Sequence, residues 1–299
     1  MPIDTRAKRL LDMLALSDAK IESAAQRRER FAKLMTMAGG KGPDMAVENL
    51  YTQDLPLRIY RPNKKAAAAL VFFHGGGLVA GSLETHDALC RRLAAASGVN
   101  VIAVDYRLAP DARFPAQLED AIRAVKWVQN HAHQLGTDVS KLAIGGESVG
   151  ALLAVLASSS EELRPIKIKA QLLLCPVVDL SFNSGSRQRL ANGYMIDADT
   201  IAADIAHCLG PNANAADLPS PLRLKSFAQL PSTIIHAAEF DPFLDEAKAL
   251  AANLANNGAD VLFHSHAGMI HSFYALTNFI PQAETALDGI GKELAEALA

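Results

Sequence analysis

Cysteine is scarce in this sequence, with three in 299 residues. Cys90, Cys175 and Cys208 are far apart and form no CxxC pair, which excludes a disulfide scaffold and a cysteine-based zinc module and fits buried thiols in a reducing compartment. Charge of one sign is missing too. Against 29 Lys and Arg stand 32 Asp and Glu, so there is no electrostatic drive toward nucleic acid, and no basic stretch marks a phosphate track. Long apolar runs are also absent. The longest, Ala66 to Phe73, is far shorter than the ~18 residues of a membrane span. Met1 to Leu16 mixes charged and apolar residues and lacks the apolar core of a signal peptide. These absences point to a cytoplasmic protein with no membrane span and no nucleic-acid partner. With half its residues hydrophobic, the chain has ample apolar surface to offset the entropy of ordering, which excludes intrinsic disorder.

Two kinds of segment alternate along the chain. Residues 1–45 read as helical: Leu10, Leu11, Met13, Leu14 and Leu16 form an apolar stripe, continued after Ser17-Asp18 by Ile21, Ala24, Phe31, Leu34 and Met35. Arg27, Arg28 and Arg30 sit within it and read as a solvated helix face. Gly39-Gly40-Lys41-Gly42-Pro43 breaks the helix. Strands are then expected at 46–51, 56–60, 69–73, 99–105, 142–146, 169–175, 233–237 and 260–264. Helices are expected at 85–97, 116–134, 149–159, 197–209, 242–257 and 284–298. Leu70–Phe73 and Leu172–Leu174 are continuous apolar runs, as in strands buried on both faces of a parallel sheet covered by helices. The first two strands, close together, suit an antiparallel edge hairpin. The predicted class is α/β, a mostly parallel eight-stranded sheet flanked by helices. Residues 1–45 and 181–230, the latter rich in Ser, Asn, Gly and Pro with one helix inside, form a helical cap. Residues 46–180 and 231–299 form the two parts of the core.

Gly146-Glu147-Ser148-Val149-Gly150 lies where an expected strand meets an expected helix. This is the GxSxG nucleophile elbow in the context it requires, with glycines where a Cβ would collide with the neighbouring strand and helix. Some seventy residues earlier, His74-Gly75-Gly76-Gly77 follows the third strand. Attack on an ester carbonyl creates an oxyanion, and backbone N–H groups can approach it only where no side chain intervenes. The expected donors are the N–H groups of Gly76, Gly77 and Val149.

A serine hydroxyl needs a base, and the base needs an orienting carboxylate. Behind such an elbow the order is Ser, then Asp or Glu, then His. Of nine histidines, His271 satisfies it from a loop after the last strand. His264 and His266 fall in or at the end of that strand, where a structural role is expected. Asp241, after the seventh strand, is the favoured acid. Asp179, after the sixth, is its rival, and Asp245 is expected to face solvent or cap a helix. His264-x-His266 with His271 and Asp241 has the donor types of a zinc set, but no HxxE or CxxC companion supports it. No metal or cofactor is expected.

Together with Gly81-Ser82-Leu83-Glu84-Thr85-His86, Asp105-Tyr106-Arg107-Leu108-Ala109-Pro110, Phe114-Pro115-Ala116, Asp241-Pro242 and Gly268-Met269-Ile270-His271, these motifs give the chain a marked likeness. From about Leu70 to Phe273 it resembles the bacterial hormone-sensitive-lipase-like carboxylesterases (family IV esterases) of the α/β-hydrolase superfamily. The resemblance implies a triad of Ser148, Asp241 and His271, the oxyanion donors named above, a helical cap, short-acyl ester substrates and a possible homodimer. It implies further that the Tyr106–Pro110 turn braces the oxyanion loop. Three departures stand out. Glu147-Ser148-Val149 replaces the usual Asp-Ser-Ala, Leu78 stands where an aromatic residue is common, and Ser272 follows the histidine in place of Gly. Leu78 and Glu147 are therefore the expected substrate contacts that set this chain apart. An amidase or deacetylase acting on small acyl amides would use the same residues. A non-catalytic ligand-binding protein on the same scaffold, as some plant hormone receptors are, would be marked by loss of the histidine, which is present.

Overall fold

The structure, a computed structural model, describes residues 2–16, 23–63, 67–212, 214–227 and 229–299. Ser17-Asp18, Ile21 and Ala66 of the sequence reading lie outside them. The chain opens with two helices, α1 (Thr5–Ala15) and α2 (Ala24–Gly39). Asp4 caps α1, accepting from the backbone N–H groups of Arg6 and Ala7, and Ser23 caps α2, accepting from Gln26 N–H; each side chain satisfies donors that the first helical turn leaves free. Then come β1 (Ala46–Thr52), β2 (Leu55–Arg61), β3 (Ala69–Phe73), α3 (Asp87–Ser97), β4 (Asn100–Val104), α4 (Ala116–Asn130), the single turn α5 (Ala132–Leu135), β5 (Leu142–Glu147), α6 (Val149–Ser158) and β6 (Ala170–Leu174). An insertion follows with α7 (Gly185–Arg189) and α8 (Ala198–Leu209), one short helix more than the sequence indicated. The chain closes with β7 (Ser232–Phe240), α9 (Leu244–Asn256), β8 (Val261–Ile270) and α10 (Gln282–Leu298).

The strands form one sheet in the order β1-β2-β4-β3-β5-β6-β7-β8. β1 and β2 pair antiparallel at one edge, β2 meets β4 antiparallel, and every later pairing is parallel. Side chains alternate across the sheet into two apolar layers. Val71, Phe73, Ile102 and Val104 face the side covered by α4, α6 and α9. Leu70, Phe72, Val101 and Ala103 face the side covered by α3 and α10. Both faces of β3, β4, β5 and β6 are buried, which is why their sequences are continuous apolar runs and not alternating ones.

Strand order positions the site. From β3 the chain crosses to β4 on one side, and from β5 it crosses to β6 on the other. The carboxyl ends of β3 and β5 therefore flank the point where connections diverge, the usual crevice of an open α/β sheet. Phe73 pairs with Gly146 across these strands, so the segments beginning at His74 and Glu147 emerge side by side. Among the described residues no helix is long and apolar enough to cross a membrane.

Candidate active site

Ser148 sits between β5 and α6 with φ 56° and ψ −120°, a left-handed region that costs a non-glycine residue ~1–3 kcal/mol. The turn can be this tight because two glycines flank it. A Cβ on Gly146 would meet the backbone of Gly150 and Phe73, and one on Gly150 would meet the carbonyls of Phe73 and His74. The strained turn is held by Ser148 N–H donating to Leu174 C=O (2.9 Å) and by Val177 N–H donating to Ser148 C=O (3.2 Å). Val149 is the first residue of α6, where the N–H groups of a helix lack intrahelical partners.

β7 and β8 bring up the other two groups. Their ladder shifts register between Ala238 and Phe240, after which Phe240 pairs with Ile270. The residue after each partner is Asp241 or His271, so the ladder sets acid and base side by side although thirty residues separate them. Asp241 Oδ2 lies 2.8 Å from His271 Nδ1, and His271 Nε2 lies 3.0 Å from Ser148 Oγ. The other carboxylate oxygen of Asp241 accepts from Phe243 N–H at 2.8 Å. All three side chains are buried. Burial disfavours the imidazolium, yet the Asp241 charge and hydrogen bond, helped by Glu147 and Glu246, hold the His271 pKa above its ordinary value.

The structure separates the remaining candidates. Asp179 pairs with Arg223 Nη1 (3.0 Å) and accepts from Ser181, away from the imidazole. Asp245 accepts from Ser186 N–H at 2.7 Å and anchors α7 to α9. The zinc combination is not assembled: His266 Nε2 lies 3.0 Å from His236 Nδ1, and Glu293 reaches both His236 (2.9 Å) and His264 (3.0 Å). β8 is longer than expected, so these histidines are strand residues facing β7 and α10, not the site. Cys175 Sγ does come within 4.8 Å of ligand atoms of Asp241 and His271. Burial, with the Asp241 charge beside it, pushes its thiol well above the ordinary value.

Leu78 and Glu147 do not contact the cavity as expected. Leu78 is fully buried in the apolar core, its backbone left-handed at φ 64°. Glu147 points beneath the glycine loop, where it accepts from Ser272 Oγ and lies 3.5 Å from His86 Nε2. Burial raises the pKa of Glu147, but His86 and His271 outweigh this and keep it below the usual value. Ser272 has φ 59°, which explains why glycine suits that position; here the hydroxyl gains Glu147 as partner. The Tyr106 hydroxyl donates to His74 C=O (2.7 Å) and Ala109 N–H donates to Leu78 C=O (2.9 Å), so this turn is hydrogen-bonded to both ends of the glycine loop.

Above Ser148 lies a cavity of about 600 Å³ lined by Gly76, Gly77, Ser148 and His271 below. Leu11, Leu14, Phe31, Leu34 and Met35 of the N-terminal helices and Asn192, Asp197 and Thr200 of the insertion line it above. The arginine cluster of α2 is not a solvated face. Arg27 is buried, Arg28 is half-buried, and Arg27 and Arg30 line the cavity. Helical spacing alone could not reveal this, because the face they occupy is covered by a segment 170 residues away in sequence.

Comparison with known proteins agrees with this architecture. Residues 70–275 match the α/β-hydrolase fold family. An ethyl acetate hydrolase of Pseudomonas putida is 36% identical over 277 residues, covering 88% of this chain and 87% of its own. An arylesterase of Saccharolobus solfataricus is 30% identical, with 98% and 99% covered. Among solved structures, an ester hydrolase from the Lake Arreo metagenome, in complex with a bipyridine phosphonate derivative, superposes with a TM-score of 0.92 at 31% identity, with 98% of each chain covered. A hyperthermophilic esterase of Pyrobaculum calidifontis gives 0.89 at 32%, with full coverage of both. On sequence, fold and site architecture alike, the chain belongs to the α/β-hydrolase family, among its hormone-sensitive-lipase-like carboxylesterases.

Proposed function

We propose that this protein hydrolyses small, short-acyl carboxylic esters through an acyl-enzyme on Ser148. The observation that carries the reading is the unbroken hydrogen-bond chain Asp241–His271–Ser148 opening into a cavity floored by Gly76 and Gly77. Asp241 accepts the Nδ1 proton, which leaves Nε2 as an acceptor facing the serine hydroxyl. His271 Nε2 takes the hydroxyl proton of Ser148 as its Oγ attacks the ester carbonyl, while the Nδ1 proton stays on the ring hydrogen-bonded to Asp241, and the imidazolium then passes the Nε2 proton to the departing alcohol. Gly76, Gly77 and Val149 N–H groups stabilise the oxyanion, each worth ~3 kcal/mol at the transition state. Water, deprotonated by the same imidazole, attacks the acyl-enzyme and releases the acid. No step calls for a cofactor.

The cavity is the size of a small-molecule site, and the apolar part of its lining, from Leu11, Phe31, Leu34 and Met35, suits a short acyl chain. Three free, buried thiols support the reducing cytoplasm as the working compartment. Hydrolysis of p-nitrophenyl acetate, butyrate and palmitate, with Ser148→Ala alongside, tests the proposal. Turnover confined to the short esters and abolished by the substitution is expected. Turnover that survives Ser148→Ala overturns it, and serine-dependent cleavage of acyl amides but not esters moves the reading to an amidase.

A further inference from the structure

The basic cluster of α2 takes no part in the proton transfers, yet one of its members bonds the oxyanion loop directly and a second reaches it through Asp204. Arg28 Nε donates to Val79 C=O at 2.8 Å, and its Nη2 donates to Ala109 C=O at 2.9 Å and to Asp111 Oδ2 at 2.5 Å. Arg27 Nη2 pairs with Asp204 Oδ2 of α8 at 3.3 Å. The Asp204 carboxylate in turn lies directly against Gly77, occupying the space a Cβ there would need. One helical turn further along α8, the Cys208 thiol donates to Gly77 C=O at 3.6 Å. α8 thus touches Gly77 through two side chains, and α2 holds one of them, Asp204, through Arg27.

Stability alone does not account for this pair. Arg27 Nε and Asp204 Oδ1 are both buried and have no hydrogen-bond partner among the described residues. One long ion contact, with the Arg27 guanidinium 5.3 Å from the centre of the Phe31 ring, repays only part of the desolvation of two charges, and a buried pair so incompletely satisfied is a poor source of folding energy. Its location is what distinguishes it: it stands between the cap and Gly77.

We propose that Arg27 and Asp204 are positioning residues that clamp the Gly77 peptide from both cap segments, so that a docked cap and a competent oxyanion hole are one state. The inference rests on the esterase reading, in which Gly77 N–H faces the oxyanion. Arg27 has a second role, that of neutralising a carboxylate close to where negative charge develops. The titratable groups facing Asp204 are Arg27 from α2 and Cys208 from its own helix, and the oxyanion loop meets it with Gly77. Burial pushes the Asp204 carboxyl up to about 6, against the pull of Arg27. Without the guanidinium that pull is lost and the value rises further. Above it the uncompensated carboxylate opposes the oxyanion.

The test compares wild type with Arg27→Lys, Arg27→Met, Asp204→Asn and the double variant Arg27→Met/Asp204→Asn. It measures kcat and KM on p-nitrophenyl butyrate from pH 5.5 to 9, Tm, and inhibition by an alkyl trifluoromethyl ketone. Ser148 Oγ adds to that ketone, its proton passes to His271, and the former carbonyl oxygen becomes an oxyanion in the hole. Arg27→Met is expected to lower kcat by about 10- to 100-fold with KM changed less than about twofold. Ketone affinity should fall by the same factor, and the deficit should widen as pH rises. The widening should vanish in the double variant, and Arg27→Lys should recover part of kcat. An unchanged kcat in Arg27→Met overturns the proposal. So does a loss of kcat that follows Tm while ketone affinity and pH profile stay those of wild type. If Arg27→Met does not fold, Arg27→Lys and Asp204→Asn decide by the same readouts. Failure of the esterase reading would show separately, as activity surviving Ser148→Ala.

Discussion

Asp241→Asn is the sharpest probe of the triad, because the structure dictates what the new amide must do. The substitution keeps shape and volume, and an amide could in principle present either its oxygen or its NH₂ group to His271. Phe243 removes that freedom. Its N–H donates to Asp241 Oδ1 at 2.8 Å from a buried position, so the amide oxygen must stay there, or a buried donor loses its partner at ~1–3 kcal/mol. The NH₂ group is therefore aimed at His271 Nδ1, which must become an acceptor. The imidazole then carries its proton on Nε2, facing Ser148 Oγ, where it can no longer accept the serine proton. In the Ser-His-Asp template such a tautomer reversal costs about 10⁴ in kcat, equivalent to ~5.4 kcal/mol of barrier. A second effect follows from charge. The Asp241 carboxylate is the main influence holding the His271 pKa up, so in Asp241→Asn the residual activity should keep its acid limb at lower pH than wild type. In wild type, where activity needs the neutral imidazole, kcat/KM should rise with pH through a pKa above the ordinary histidine value. Steady-state rates on p-nitrophenyl butyrate from pH 4.5 to 9, with circular dichroism to confirm folding, measure both effects. Activity within about tenfold of wild type, or an unmoved acid limb, would refute the argument.

Two further substitutions examine the framework beneath the triad. Tyr106→Phe removes the hydroxyl that donates to His74 C=O; leaving that buried carbonyl unpaired should cost ~1–3 kcal/mol in denaturant unfolding and lower kcat more than it raises KM, since the glycine loop loses its brace. Equal folding stability in the two proteins would show that the contact is dispensable. Gly150→Ala places a Cβ against the Phe73 and His74 carbonyls, and backbone on both sides has no room to yield, so destabilisation beyond about 3 kcal/mol or loss of soluble protein is expected. A folded, active Gly150→Ala enzyme would mean that the elbow tolerates far more displacement than its packing implies.

The elements that sequence placed well share a cause. β3 and β6 are short, both faces are buried, and continuous apolar runs such as Leu70–Phe73 and Leu172–Leu174 arise from that environment. GxSxG and HGGG are legible because strained turns and close backbone approach admit only glycine, a constraint local to a few residues. β8 runs six residues past its expected end, to Ile270. Beyond His266 it pairs with β7 only past a register shift, Ile270 with Phe240, and its alternation is broken by His264, His266 and Gly268. The surroundings of Leu78, Glu147 and the α2 arginines are not legible locally for a related reason: whether a side chain meets a cavity, the core or another helix depends on what packs over it.

Chemistry and order along the chain were written in local sequence: a serine on a glycine-flanked turn, a glycine loop after an apolar strand, an acid and a histidine behind them. Local sterics dictate those patterns, so they survive without knowledge of the rest of the molecule. Distances between the parts were decided by the sheet. The pairing of Phe73 with Gly146 sets the glycine loop beside Ser148, and the pairing of Phe240 with Ile270 sets Asp241 beside His271. The meeting of Arg27 with Asp204 on Gly77 belongs to the same category. Contacts across 177 residues leave no periodic signature in either segment; only the tertiary contact between α2 and α8 turns a basic helix face into part of the cavity wall.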